Sequence, residues 1–357
     1  MTSIPDSARR RIVVGVDTHK YAHVAVALDS LGARLGDTVI TVNRAGYAEF
    51  ERWARQLGQL ITFGVEGTGS YGAGLASFLR RRGHRVVEVN RPDRRIRHLH
   101  GKDDPIDAES AARAVLSGVA TATPKSADGS AEMIRQIKIA KDTAVKSRSQ
   151  AIITLKTVIV NAPPELREEL EHLTDKKLIE RCADVSNDGM MTPVDAARYT
   201  LHSLAERYRE LDRELRLHDL VLATLTRRAA PALTGLFGIG ADSAAELLVV
   251  VGDNPGRIHS EAALAKLCGA CPVPASSGNT TRHRLNRGGH RQANAALHRI
   301  IIVRMRFHEP TINYVTRRTT EGKTKREIMR CLKRSLIREI YQILVAPHKV
   351  KSEANPA

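Results

Sequence analysis

The sequence predicts an α/β N-terminal domain followed by a mainly helical remainder. Three observations carry the prediction. The first hundred residues hold three β-rich stretches joined by short turns, then strands alternating with helices. A heptad-like seam runs from Leu201 to Leu225, and the last third is glycine-punctuated, helical in pattern and strongly basic. Breaks in pattern divide the chain into residues 1–125, 126–227 and 228–346, with a disordered tail over 347–357. A length of 357 residues suits two or three domains with at least one real core. Hydrophobic residues at 42% exclude wholesale disorder. No apolar run approaches the ~20 residues of a bilayer span, and the opening MTSIPDSARRRIVVG has no signal-peptide core. Four cysteines exclude a disulfide scaffold and fit a reducing cytoplasm. The net charge of +17 attracts polyanions, so the expectation is a cytoplasmic, nucleoid-associated nucleic-acid protein with no membrane partner.

In order, Arg11–Thr18 is a mostly apolar first strand and Ala22–Asp29 a second after a short turn. LGARLGD leads into a third strand over Thr38–Val42. A helix follows over Tyr47–Gln56, stopped by Leu57-Gly58, and Ile61–Glu66 is strand four. A glycine cluster opens a helix ending at Arg80-Arg81-Arg82-Gly83, Arg85–Val89 is strand five, and a last helix begins at Asp104. The result is a mixed sheet covered by helices.

Four carboxylates fall at informative places. Asp17 ends strand one, Glu66 ends strand four, and Asp104 and Asp107 share one face in the first turn of the last helix. Carboxylates converging this way repel one another unless a cation sits between them. Hard oxygen ligands in an open cluster suit Mg²⁺ or Mn²⁺, and a metal pair so held clamps a phosphodiester in an in-line displacement. Each piece also has a plain reading: Asp-Pro-Ile-Asp is a good helix start, and Asp17 before Thr-His is a good turn. The joint pattern on a basic chain is what points to metal-dependent phosphoryl transfer. A competing fingerprint, Gly67-Thr68-Gly69-Ser70-Tyr71-Gly72 with Glu88 about 20 residues on, matches a dinucleotide-binding turn. Three strands precede it where it should open the fold, and Glu66 would face a pyrophosphate, so a tight structural turn is favoured.

Residues 130–160 and 200–226 read as helices, with 183–193 as loop. Leu201, Leu204, Tyr208, Leu211, Leu215, His218, Leu222 and Leu225 follow 3-4 spacing, an a/d seam expected to form antiparallel coiled-coil arms or a dimer contact. His218 reads as an ordinary core-edge histidine. Leu236-Phe237-Gly238-Ile239-Gly240 reads as the hairpin of a helix–hairpin–helix, with Gly238 and Gly240 letting backbone N–H groups approach a phosphate. From Thr281 to His348 there are 16 basic residues against four acidic ones, and from Arg80 to Lys102 nine against two. Aromatics are only 4%, so backbone neutralisation rather than base stacking is the expected mode. Arg282, Arg284, Arg287 and Arg291 are candidate phosphate contacts beside an exposed Pro-Ala-Ser276-Ser277-Gly278 loop, where a serine could be a phosphoryl-transfer nucleophile. Cys268, Cys271, His283 and His290 come near zinc-finger spacing but miss at both gaps.

These stretches resemble the DEDD transposases of the insertion-sequence one-ten group, relatives of the pilin-gene invertase Piv. The marks are Gly15-Val16-Asp17-Thr18-His19-Lys20, Val65-Glu66-Gly67-Thr68-Gly69, Lys102-Asp103-Asp104-Pro105-Ile106-Asp107-Ala108, Leu236-Phe237-Gly238-Ile239-Gly240 and Ser276-Ser277-Gly278. The resemblance implies an RNase H-like (RuvC-like) N-terminal domain, a coiled-coil arm and a C-terminal transposase domain. It implies the four-carboxylate role for Asp17, Glu66, Asp104 and Asp107. Asp103 stands where the family usually has Thr, which makes it a decoy beside Asp104. The resemblance further implies a covalent phosphoserine intermediate, for which Ser277 fits the Ser-Gly context best and Ser276 is runner-up. It also implies a homo-oligomer, dimer or tetramer, in which the serine of one subunit completes the carboxylate site of another. A structured noncoding RNA would pair with donor and target DNA. The expectation is an insertion-sequence DNA transposase or recombinase. The alternatives are a Holliday-junction resolvase-like nuclease using metal-activated water and a non-catalytic nucleic-acid-binding protein.

Overall fold

The computed structural model describes residues 10–90, 103–184, 191–276 and 283–347. The chain divides into two compact units, residues 1–126 and 127–357.

Among the described residues, the first unit is built on five strands: β1 (Arg11–Thr18), β2 (Ala22–Asp29), β3 (Arg34–Thr41), β4 (Gln59–Glu66) and β5 (Val86–Val89), in sheet order β3-β2-β1-β4-β5. The β1, β2 and β3 strands form an antiparallel meander, while β4 runs parallel to both β1 and β5. Among the described residues, three helices cover the sheet: α1 (Arg44–Leu57), α2 (Ala73–Arg81) and α3 (Asp104–Leu116). Alternation along β1 sends Ile12, Val14 and Val16 into a core with Phe50 of α1, Leu75 of α2 and Phe63. It sends Val13 to the opposite face, where Val26 and Leu28 pack on Ala108 and Ala112 of α3. Burial on both faces explains why β1 reads as one apolar run. The architecture is a mixed α/β sheet compatible with an RNase H-like fold.

The edge strand β3 starts at Arg34, before the expected Thr38, because residues of the LGARLGD stretch pair with β2 through a bulge between Ala27 and Leu28. Its half-exposed edge carries little of the apolar signal a buried strand shows. Helix α1 begins at Arg44 because the Asn43 side chain accepts the Gly46 N–H at 2.8 Å.

In the second unit, α4 (Ser130–Val160) and α7 (Pro193–Ala229) lie antiparallel along one another. Ile134 shares a core with Leu222 near one end, and Leu155 shares one with Leu201 and Ala205 near the other. Lys141 pairs with Asp219 at 2.6 Å, and Arg148 pairs with Asp212. The seam residues Leu201, Leu215 and Leu222 are buried in this contact within one chain. Helix α7 starts well before residue 200 because Thr192 and Asp195 form a reciprocal capping box with Pro193 at the first helical position. Two short helices between them, α5 (Pro164–Leu170) and α6 (Asp175–Ala183), carry Leu166, Leu170, Leu178 and Cys182 onto the Leu155 core.

The remainder is α8 (Pro231–Thr234), α9 (Ala241–Val251), α10 (Glu261–Leu267), α11 (Arg291–Phe307), α12 (Glu309–Thr320) and α13 (Lys325–Leu344), with a small hairpin of β6 (Pro272–Pro274) and β7 (His283–Leu285). Leu233, Leu247, Leu297, Ile300 and Ile337 centre their shared core. The tail expected over 347–357 lies, beyond Pro347, outside the described residues. No helix among the described residues is long and apolar enough to cross a membrane.

Candidate active site

A glycine seam sets the geometry of the site. Gly15 of β1 and Gly64 of β4 are register partners in neighbouring strands. A Cβ on Gly15 would lie 2.1 Å from Ala108 O and 2.3 Å from Ala112 N; on Gly64 it would lie 2.6 Å from Val115 Cγ2 and 3.1 Å from Ala111 O. Helix α3 therefore rests its alanine face directly on the backbone of the two central strands. Two residues further along each strand, the pleat brings Asp17 and Glu66 to that same face. One turn back along the helix stand Asp104 and Asp107. The four carboxylates picked out from sequence thus line one cleft of about 450 Å³, together with Thr18, His19, Tyr71, Glu88 and Asn90.

Asp17, Glu66 and Asp107 are buried, at 7%, 8% and 6% exposure, while Asp104 is half-exposed at the mouth. Asp103 is the exposed N-cap residue preceding the helix. Burial raises the Asp17 carboxyl above its ordinary value; the adjacent His19 opposes that, and the charges of Asp107 and Asp104 add to it. An acid strained this way by desolvation and like charge is what a hard divalent cation relieves. The oxygen-rich donor set fits such an ion.

The turn after β4 also serves the cleft. Gly67 sits at φ +62°, Ser70 N donates to Gly67 O at 2.8 Å, and a Cβ on Gly72 would lie 2.6 Å from Glu66 O. Thr18 Oγ1 donates to the same Glu66 carbonyl at 3.0 Å. The glycine fingerprint is accounted for by this tight turn, which fixes the end of β4.

Sequence reasoning assigned no role to His19. Its Nε2 lies 3.1 Å from Asp17 Oδ2 and 3.3 Å from Asp104 Oδ1, and the three donor atoms sit within 4.8 Å of one another. His19 N donates to Nδ1 of His23, a fully buried ring stacked on Tyr47. Beforehand His19 stood out through its place two residues after Asp17, inside the Gly15–Lys20 stretch.

In the second unit, Gly238 takes φ +80° and Gly240 is the N-cap of α9, with open space where its Cβ would be. The preceding helix, α8, is only four residues long. Asp242 in the first turn of α9 binds Lys138 and Lys141 at 2.9 Å and Arg299 at 3.2 Å. Although burial opposes it, the two lysines hold the Asp242 carboxyl down at about 2. Arg284, Arg287 and Arg291 are exposed and carry no ion pair among the described residues. Ser276 lies two residues beyond the end of β6; Ser277, Gly278 and Arg282 lie outside the described residues. The base of this segment is anchored in a way the sequence did not announce. Asn294 Nδ2 donates to Gly269 O at 2.9 Å and to Cys268 O at 3.1 Å, and Lys333 Nζ donates to Asn294 Oδ1 at 2.7 Å. A Cβ on Gly289 would lie 2.2 Å from Gly269 N. Cys268, Cys271, His283 and His290 do not gather as a metal site among the described residues. Asn286 donates to Cys271 Sγ and His290 caps α11, so the near-zinc spacing has a structural explanation.

A helix-covered mixed sheet with an acidic cleft at the ends of its two central parallel strands, joined to a basic helical unit, defines the class. A DEDD transposase family model, described as "Transposase", matches residues 14–164, spanning all four carboxylates. A second, "Transposase IS116/IS110/IS902 family", matches residues 230–316. The chain is 32% identical over 116 residues to the "Insertion element IS110 uncharacterized 43.6 kDa protein" of Streptomyces coelicolor, a stretch that is 32% of this chain and 28% of that protein. The chain belongs to the IS110 family of transposases.

Proposed function

We propose that this protein is an insertion-sequence DNA transposase or recombinase that cleaves and exchanges strands at a divalent-ion site held by Asp17, Glu66, Asp104 and Asp107. The observation that carries the reading is the meeting of these acids, from two strand ends and one helix start, in a single cleft. The ion, Mg²⁺ or Mn²⁺, would supply charge stabilisation at the scissile phosphate. Asp17, Glu66 and Asp107 bind it from buried positions; Asp104 binds from the mouth, and Thr18 steadies the Glu66 backbone. The N-terminal fold is read as RuvC-like, the α4–α7 pair as a coiled-coil arm, and the Gly238–Gly240 turn as a helix–hairpin–helix contact to DNA backbone. Arg282, Arg284, Arg287 and Arg291 are read as further phosphate contacts.

Ser277, with Ser276 as the alternative, is the proposed nucleophile. Its hydroxyl displaces one deoxyribose oxygen from phosphorus, the serine proton ending on that oxygen. A hydroxyl of the second strand then displaces the serine oxygen from phosphorus, and its proton returns to the serine, completing the exchange. The protein acts as a homo-oligomer, with donor and target DNA read by an element-encoded noncoding RNA, and its place is the nucleoid.

The test is strand exchange on element-end DNA, with RNA co-purified from the native host. Asp17→Ala, Glu66→Ala and Ser277→Ala each abolish exchange while DNA binding persists, and wild-type protein leaves a protein–DNA adduct that survives denaturation. Full exchange in excess chelator overturns the carboxylate assignment. Full activity of Ser277→Ala with loss in Ser276→Ala moves the nucleophile by one residue. Cleavage without any adduct favours resolvase-like hydrolysis.

A further inference from the structure

We infer that His19 is a nitrogen ligand of the ion in the carboxylate cleft, so that the site is tuned toward Mn²⁺ over Mg²⁺. The inference rests on the metal reading above and adds a donor that reading does not contain. Three observations on this chain support it.

The first is distance. Two adjacent ligands of an octahedral ion with bonds near 2.1 Å lie about 3 Å apart. Asp17 Oδ2 to His19 Nε2 is 3.1 Å and His19 Nε2 to Asp104 Oδ1 is 3.3 Å. The imidazole nitrogen thus stands where a ligand between the two carboxylates would stand. The second is that no packing role occupies the ring. The His19 side chain is about half-exposed, at 47%, so burial of the ring does not account for its place at the cleft mouth. The third is anchoring. The backbone of His19 is tethered to His23, whose ring is fully buried against Tyr47 at 6.1 Å between centroids. A side chain placed at the cleft mouth from a fixed backbone gives up less freedom on binding than a loose one. His23 is accordingly a positioning residue.

The chemistry follows from ligand type. Mg²⁺ takes oxygen ligands almost exclusively, while Mn²⁺ and later first-row ions accept imidazole. One nitrogen among oxygens therefore favours Mn²⁺ without excluding Mg²⁺.

The experiment uses the full chain, stripped of metal, with Mn²⁺ or Mg²⁺ alone as probe. Calorimetry gives both affinities, and pulsed electron paramagnetic resonance of bound Mn²⁺ reports ¹⁴N coupling. The wild type shows imidazole ¹⁴N modulation. His19→Ala and His19→Gln lose it, weaken Mn²⁺ by at least about 10-fold, and change Mg²⁺ by less than about 3-fold. Modulation that is missing from the wild type, modulation that persists in both variants, or equal weakening of the two ions overturns the inference. Asp17→Asn separates it from the parent reading. Loss of both ions in Asp17→Asn with no effect of His19→Ala removes only the histidine, whereas wild-type Mn²⁺ binding by Asp17→Asn removes the carboxylate site itself. Melting curves confirm that each variant is folded.

Discussion

The contact of α3 with the sheet is the most demanding packing in the first unit, and Gly15→Ala tests it. In an open strand this change would stabilise by about 0.5–1 kcal/mol, because alanine has less backbone freedom to lose. Here the new methyl would stand 2.1 Å from Ala108 O and 2.3 Å from Ala112 N. An ordinary carbon–oxygen contact is about 3.3 Å, so α3 must retreat by roughly 1 Å. Overpacking of this kind costs about 1–3 kcal/mol, because the neighbouring atoms are backbone and have no rotamer to change. For a unit of this size that is a drop of roughly 4–12 °C in the first melting transition. The retreat carries Asp104 and Asp107 away from Asp17 and Glu66 by a similar distance, and misplacement by about 1 Å costs on the order of 100-fold in rate. Differential scanning fluorimetry and strand-cleavage rates read the two effects. Gly256→Ala, where a Cβ meets open space, is the control. A Gly15→Ala protein melting within about 1 °C of wild type, with unchanged cleavage, would refute the claim that the helix–sheet seam positions the acids.

Asp17→Asn stabilises the metal-free protein by about 1 kcal/mol at neutral pH. The raised Asp17 carboxyl contributes stability that is complete below its ordinary value of 3.8 and lost as pH rises through the folded-state value, so the wild type is strained when ionised. Melting in chelator should show the gain, and added Mn²⁺ should raise the melting point of wild type alone. Glu51 has the opposite sign. Burial would raise it, but hydrogen bonds from His84 at 2.6 Å and Arg55 at 2.8 Å, with the charge of Arg82, hold it below its ordinary 4.5. Its contribution is present above that value and lost as pH falls through the depressed one. Glu51→Gln therefore costs about 1–2 kcal/mol at pH 7, discounted for the exposed arginines, and the difference from wild type shrinks in acid denaturation curves below pH 4.5. Lys138 is buried at 7% exposure among Asp142, Asp242 and Glu246, all within 3.0 Å. Lys138→Met should destabilise the second unit by about 2–3 kcal/mol in urea titration, and adding Glu246→Gln should recover part of it. Replacing Arg284, Arg287 and Arg291 together by alanine should lower the slope of log DNA affinity against log salt by up to about 2.7, or about 0.9 for each phosphate no longer neutralised. An unchanged slope excludes them as backbone contacts.

The parts of the fold that were legible are those where one periodicity dominates. The strands that carry Asp17 and Glu66 near their ends, and the helix announced by Asp104-Pro105, stand where apolar β-rich runs and a helix-start signal put them. Of the seam, Leu201, Leu204, Tyr208, Leu222 and Leu225 join cores that α4 also reaches, and Leu215 is buried. What escaped needed the third dimension. Nothing in a single chain shows that Gly15 and Gly64 are register partners, so the close approach of α3 was invisible. His19 lies beyond the strand, where neither a two-residue nor a 3.6-residue period fixes its direction. The basic run from Arg80 misled in part: Arg80 donates to Lys125 O at 2.7 Å and Ser126 O at 2.8 Å, and Arg82 pairs with Glu51. Charge counting cannot separate cations that close a fold from those that meet a polyanion.

The same seam explains why so negative a cleft can exist on a chain of net charge +17. The three buried acids stand on backbone held by features that do not depend on them: the Gly15–Ala108 contact, the Gly67 turn and the Thr18 bond to Glu66 O. At Asp17 the charge of His19 opposes the raising effects of burial, Asp107 and Asp104. A lysine or arginine placed there to neutralise the acids would compete with a divalent ion for the same oxygens. Exposed cations stand at Arg284, Arg287 and Arg291 in the second unit. The proposed phosphate contacts and the carboxylates are different residues, so substitutions at each set test the two proposed roles separately.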